Sequence, residues 1–205
     1  VSGGKINISN LRVNYGETIG LQIESLQIFP GETVAIIGRT GCGKSTFAKA
    51  LIKLIPYEGT IIIDGTDICK VSCETLRKQV IYVPQQPRLF NRSILENITY
   101  GSNVSEEEIM STLKELGIKL GNLHRMAGKN GNNLSGGQKQ LVYFLRFIFR
   151  KGSIIILDEP TASLDERTRD HVLQVLRYVS QGRTTIIVTH DPDVMRFTTR
   201  QIRLD

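Results

Sequence analysis

The chain has 205 residues, 40% hydrophobic and 22% charged, with a net charge of +6. That balance excludes a disordered chain and allows one domain of ordinary size with a buried core and room for a sub-domain. No apolar run approaches the roughly 20 residues that span a bilayer, and the greasiest stretch, Leu141 to Phe149, is interrupted by Arg146.

In chain order, "KINISNLRVNY" and "LQIESLQIF" alternate as half-buried strands, with Gly16 and Gly20 near the turn between them. "ETVAIIG" is a short apolar strand ending in glycine, and Lys44 to Leu54 reads as a helix. "GTIIIDG" is a strand closed by an Asp-Gly turn; Ser72 caps a short helix, and "QVIYVPQ" is a strand stopped by Pro84. From Pro87 to about Asn133 the chain turns polar and helical, with Ser105 and Glu108 spaced as a capping box. A long helix follows Ser135. "SIIIL" and "TTIIV" are continuous apolar strands separated by the helical "ERTRDHVLQVLRYV". Strand-helix-strand repetition with such strands indicates a parallel sheet covered on both faces.

Lysines and arginines are spread without runs, which fits a solvated surface and an anionic ligand better than nucleic-acid binding. Cys42, Cys69 and Cys73 make no metal pattern, and their small odd number fits a reducing compartment. The N-x-S/T triplets at Asn7, Asn91, Asn97 and Asn103 read as coincidental, because the polar start Val1-Ser2-Gly3-Gly4-Lys5 is no secretory signal. The chain begins without Met and is expected to be a piece of something longer.

Three stretches carry chemistry. Gly38-Arg39-Thr40-Gly41-Cys42-Gly43-Lys44-Ser45 is the G-x-x-x-x-G-K-[ST] pattern between a strand and a helix. Its glycines let backbone N–H groups converge on phosphate oxygens, and the helix that starts near Lys44 adds its positive end. Lys44 offers a cation to the β- and γ-phosphates and Ser45 a hydroxyl to Mg²⁺. Cys42 is either a reactive thiol acidified by that helix end or a small filler. "SIIILDEP" delivers Asp158 and Glu159 to the sheet's C-terminal edge, where Asp158 suits Mg²⁺ and Glu159 suits polarising water. His190 follows a second buried strand, either as a ligand to the γ-phosphate or water or as a structural histidine. "NNLSGGQKQ" is the third stretch: Ser135 is an N-cap type, and Gly136-Gly137 open a helix whose exposed amides form a second anion site.

Together these residues resemble the nucleotide-binding domain of ATP-binding cassette (ABC) proteins along essentially the whole chain. "GRTGCGKST", through Thr46, resembles Walker A and "IIILDEP" Walker B; "LSGGQ", Leu134 to Gln138, is identical to the family signature. The resemblance makes Gln85 in "VPQQP" the Q-loop glutamine at Mg²⁺ and water, Ser163 to Asp165 the D-loop, His190 the switch histidine, and Tyr15 the aromatic that stacks on adenine. It implies a P-loop NTPase (RecA-like) α/β core with a mainly parallel sheet, an N-terminal antiparallel β subdomain and an inserted α-helical subdomain. One domain would cover 1–205, with 1–86 and about 134–205 as core and β subdomain and about 87–133 as the helical part. "PRLFNRSILENITYG" and "GKNGNNLSGGQ" resemble the exporter-type versions, which implies a cytosolic motor beneath a transmembrane domain, ATP and Mg²⁺ as cofactors, and no nucleic acid.

The sequence departs from the family pattern at several points. Met126 stands where an acidic residue is usual, and Leu141 replaces an arginine. Tyr143, Phe144, Phe147 and Phe149 are bulky and read as core packing. The chain also stops at "RQIRLD", within a late strand where the family continues. The two anion loops have an economical explanation: two copies pair head-to-tail, each closing Ser135 to Gly137, with Gln138, over the γ-phosphate held by the other. Two alternatives stay open, a soluble ABC-type ATPase acting on nucleic acid or ribosomes and a nucleotide-switch binding module.

Overall fold

The computed structural model describes residues 3–86, 88–162 and 164–204; Pro87, where the helical stretch was expected to begin, and Ser163 of the D-loop triplet lie outside them. Along the chain, β1 (Ile6–Tyr15) and β2 (Thr18–Ile28) form a hairpin, followed by β3 (Thr33–Ile37), α1 (Lys44–Leu51) and β4 (Glu58–Ile63). The short β5 (Thr66–Asp67), α2 (Cys73–Gln79) and β6 (Val80–Val83) come next. Three helices follow: α3 (Ile94–Thr99), α4 (Glu106–Glu115) and α5 (Gly136–Ile148). The chain closes with β7 (Ile154–Asp158), α6 (Glu166–Ser180), β8 (Thr184–Val188), α7 (Pro192–Phe197) and β9 (Arg200–Arg203).

The chain forms two compact units. The first comprises the residues up to Val83, Gly152–Pro160 and the residues from Ser180 onwards. It holds an antiparallel sheet in the order β2-β1-β4-β5 and a sheet in the order β6-β7-β8-β3-β9. Every pairing in the second sheet is parallel. β7 and β8 are buried at every residue, as their unbroken apolar runs require of strands covered on both faces. β1 instead alternates, burying Ile6, Ile8, Leu11 and Val13. Phe47, Ala48, Ala50 and Leu51 of α1 join these residues to Ile154, Ile156, Ile186 and Val188 in a single apolar cluster. α1 is thereby fixed against strands of both sheets, and the loop before it is fixed with it.

The second unit, Pro84–Lys151 with Thr161–Val179, is helical. The helical stretch expected over about 87–133 lies inside it, and the unit also takes in α5 and most of α6. α4 starts on the expected Ser105–Glu108 capping box, and α3 starts on a second one, Ser93–Glu96. Among the N-x-S/T triplets, Asn97 is fully buried and hydrogen-bonded. Tyr143, Phe144 and Phe147 pack edge-on within α5 and are buried, as read from the sequence. Met126 is exposed, and its carbonyl accepts from the Asn133 amide at 3.1 Å.

Candidate active site

Parallel strands end at one edge. β3, β7 and β8 therefore bring the phosphate loop, the Asp158-Glu159 pair and His190 to the same side of the sheet. The loop Gly38–Ser45 leaves β3 and turns, with Cys42 N donating to Arg39 O at 3.2 Å. Gly43 is the N-cap of α1 at φ 96, and a Cβ there would meet Gly20 O at 2.5 Å. Only glycine fits that left-handed position. No side chain caps α1 and no acid lies in its first turn, so its N-terminal amides keep their affinity for an anion. Lys44 folds back on the loop, its Nζ donating to Gly38 O and Arg39 O at 2.9 Å each.

Ser45 Oγ donates to Asp158 Oδ1 at 3.0 Å, and the Tyr82 hydroxyl donates to Oδ2 at 3.1 Å. Asp158 is only 6% exposed. Tyr82 was not singled out in the sequence; its signal is its place on β6, the strand that pairs directly with β7. One residue on, Glu159 N donates to Val188 O at 2.9 Å and the backbone enters the left-handed region at φ 47. The turn sends the Glu159 side chain toward β8, where Oε2 lies 2.9 Å from His190 Nδ1. Glu159 is largely covered, 16% exposed at the side chain, while His190 is 76% exposed. Buried Thr189 anchors the histidine from below: its N donates to Ile36 O, and its hydroxyl accepts from Asp191 N. Tyr15 ends β1 with its ring exposed and its hydroxyl 3.2 Å from Thr46 Oγ1. That leaves a free aromatic face beside the helix that follows the phosphate loop.

The remaining expected residues lie in the second unit. Ser135 caps α5 in a capping box, its Oγ accepting from Gln138 N and Gln138 Oε1 accepting from Ser135 N, each at 3.2 Å. Gly136 and Gly137 occupy the first two helical positions, whose N–H groups have no intrahelical acceptor. Gln85 is exposed and shares a cleft with Gly136, Gly137, Gln140 and Asp165. The structure thus gathers Lys44, Ser45, Asp158, Glu159 and His190 in one unit and Gln85 with the signature glycines in the other.

Ser45 and Asp158 suit a hard divalent cation: both are oxygen donors, one charged, already side by side. Among the described residues no cluster of three His, Cys, Asp or Glu offers a competing cage. No helix of the described residues is long and apolar enough to cross a membrane.

Comparison with known proteins gives the family. Residues 21–162 match the ABC transporter family. The chain is 37% identical over 204 residues to multidrug resistance protein pgp-1 of Caenorhabditis elegans, covering 94% of this chain and 15% of that protein. It is 37% identical over 213 residues to the ATP-dependent lipid A-core flippase of Neisseria gonorrhoeae, covering 98% of this chain and 34% of the flippase. Among solved structures, a bacterial Atm1-family ABC exporter with ATP bound superposes with a TM-score of 0.86 at 33% identity, over 100% of this chain and 37% of that one. The chain spans only 15% to 37% of the length of these relatives. With the phosphate loop, the acid pair and the signature turn each on its expected element, the chain belongs to the ABC transporter family and is its ATPase domain.

Proposed function

We propose that the chain is the ATP-hydrolysing motor of a membrane exporter. It works on the cytoplasmic face with a transmembrane partner, and as a head-to-tail pair with a second nucleotide-binding domain. The names of the relatives, a multidrug resistance protein, a flippase and an exporter, support the transport reading.

In this reading the α1 amides and Lys44 hold the β- and γ-phosphates, Lys44 exchanging its loop carbonyls for phosphate oxygens. Arg39, Thr40, Gly41, Cys42 and Gly43 shape the cradle, and the Tyr15 ring, near Thr46, stacks on the base. Ser45 and Asp158, with Gln85, would hold Mg²⁺, which when bound offsets negative charge on the phosphates. Glu159 accepts a proton from the water that attacks the γ-phosphorus, and the bond from that phosphorus to the β–γ bridging oxygen breaks. His190 holds the carboxylate in place and faces solvent, where the γ-phosphate would enter. The partner's Ser135, Gly136 and Gly137 amides, with Gln138 bracing the cap, close over the γ-phosphate.

One observation carries the reading: the Glu159 carboxylate is covered, turned toward His190, and next in the chain to an aspartate already bonded to the phosphate-loop serine. Glu159→Gln keeps the shape and removes the base. We expect a loss of turnover of about 100-fold or more with ATP affinity retained. Phosphate release at the parent rate would overturn the assignment.

A further inference from the structure

Thr168 stands in the first turn of α6, only 8% exposed. Its N–H donates to Asp165 Oδ1 at 2.9 Å and its hydroxyl donates to Oδ2 at 2.8 Å, so one residue engages both oxygens of that carboxylate. Arg169 N adds a bond to the Asp165 carbonyl at 2.9 Å. The same threonine side chain also faces the signature turn. A Cβ added at Gly137 would overlap the Thr168 hydroxyl and lie 3.3 and 3.4 Å from its Cγ2 and Cβ. Gly137 therefore lacks a side chain for a packing reason as well as for its exposed amide, since Thr168 occupies the space. Gly137 borders two clefts, one with Gln85 and Asp165 and one with Ser135 and Thr168.

We infer that Thr168 is a positioning residue: its side chain, held by the Asp165 carboxylate, fixes the signature turn at Gly137. This rests on the proposed function. A phosphate drawn onto the amides that open α5 loads Gly137, and Gly137 bears directly on Thr168. Both oxygens of the Asp165 carboxylate hold Thr168 in place beneath that glycine. In a head-to-tail pair, Ser135 to Gly137 serve the partner's nucleotide while Glu159 serves the chain's own. Thr168 thus steadies the turn that closes on the partner's nucleotide, and its hydroxyl is the atom that makes the joint.

The test compares Thr168→Val, which keeps the bulk and removes the hydroxyl, with Thr168→Ser, which keeps the hydroxyl. Both are placed in the full-length protein that contains this chain, and ATP turnover is measured against ATP concentration. We expect Val to lower kcat about tenfold at unchanged KM, and Ser to stay within about twofold of the parent. The inference is overturned if Val matches the parent kcat, if Ser falls as far as Val, or if KM rises in step with the fall in kcat. Should the Val variant show no cooperative melt, Asp165→Ala removes both acceptor oxygens from the other side. About tenfold lower kcat at parent KM then supports the joint, and parent kcat overturns it. A parent protein without ATP turnover sensitive to Glu159→Gln overturns the function itself. A parent that turns over beside an indifferent Val variant overturns only the role of Thr168.

Discussion

At Glu159 the backbone sits at φ 47, a region that costs a residue with a β-carbon of order 1–3 kcal/mol. The fold holds it there through the Glu159 N to Val188 O bond, and the return is direction: Asp158 keeps to the phosphate loop while Glu159 turns to His190. Two adjacent carboxylates therefore face different neighbours, which fits the two roles proposed for them. Lys44 shows a second residue-scale device. Its ammonium rests on the carbonyls of Gly38 and Arg39, so it is already at the loop when an anion arrives. Lys44→Ala removes a charge-assisted contact worth about 1.5–3 kcal/mol, and nucleotide affinity should fall roughly 10- to 100-fold in a titration with a fluorescent ATP analogue. Parent affinity would remove Lys44 from the site.

Among the elements, α5 does more than present the signature. Arg146, 5% exposed, donates from Nε and Nη2 to Asn97 O and Oδ1 at 2.9 Å each, and from Nη1 to Arg88 O at 3.2 Å. Its guanidinium lies over the rings of Phe90, Tyr100 and Tyr143. Burial pushes Arg146 below the ordinary guanidinium value and the Tyr143 phenol up to about 12. Asn97 in turn bonds Phe90 N and O and Ser93 O, so one arginine on α5 fixes the whole turn into α3. Arg146→Leu removes the guanidinium donors from Asn97 O, Asn97 Oδ1 and Arg88 O. It should cost roughly 3 kcal/mol, or about 6–12 °C in a thermal melt, and Lys, lacking the planar fork, should restore only part. An unchanged melt for Leu would show that the turn is held by other means.

None of that network is legible in the sequence, where Arg146 only interrupts a greasy run. It depends on residues 49 and 58 positions apart meeting in space. What could be read were features with a local cause. The apolar runs of β7 and β8 announced buried parallel strands, and Ser105 and Glu108 announced a helix start. Ser93-Ile-Leu-Glu96 carries the same signal for α3, in a helix of 6 residues too short to show a period of its own. The phosphate loop, Asp158 and Glu159 were legible because each sits where a strand ends. Their pairings with Ser45, Tyr82 and His190, and the fit of Thr168 against Gly137, come from tertiary packing.

For the whole molecule, the central point is how the chemistry is divided. The phosphate loop, Asp158, Glu159 and His190 belong to one unit, and the signature turn and Gln85 to the other. In the proposed head-to-tail pair the signature turn would serve the partner's nucleotide and the phosphate loop, Asp158 and Glu159 the chain's own, and ATP, touching both copies, would favour the closed state by its own contacts. The net charge of +6 adds repulsion between copies, which the triphosphates would offset. The most direct test is the solution mass of the Glu159→Gln chain by light scattering, with and without Mg²⁺ and ATP. The pair predicts a monomer without nucleotide, a dimer with it, and a return to monomer when Ser135→Arg is added. A chain that binds ATP and stays monomeric at every concentration, or that pairs equally well with Ser135→Arg, would contradict it.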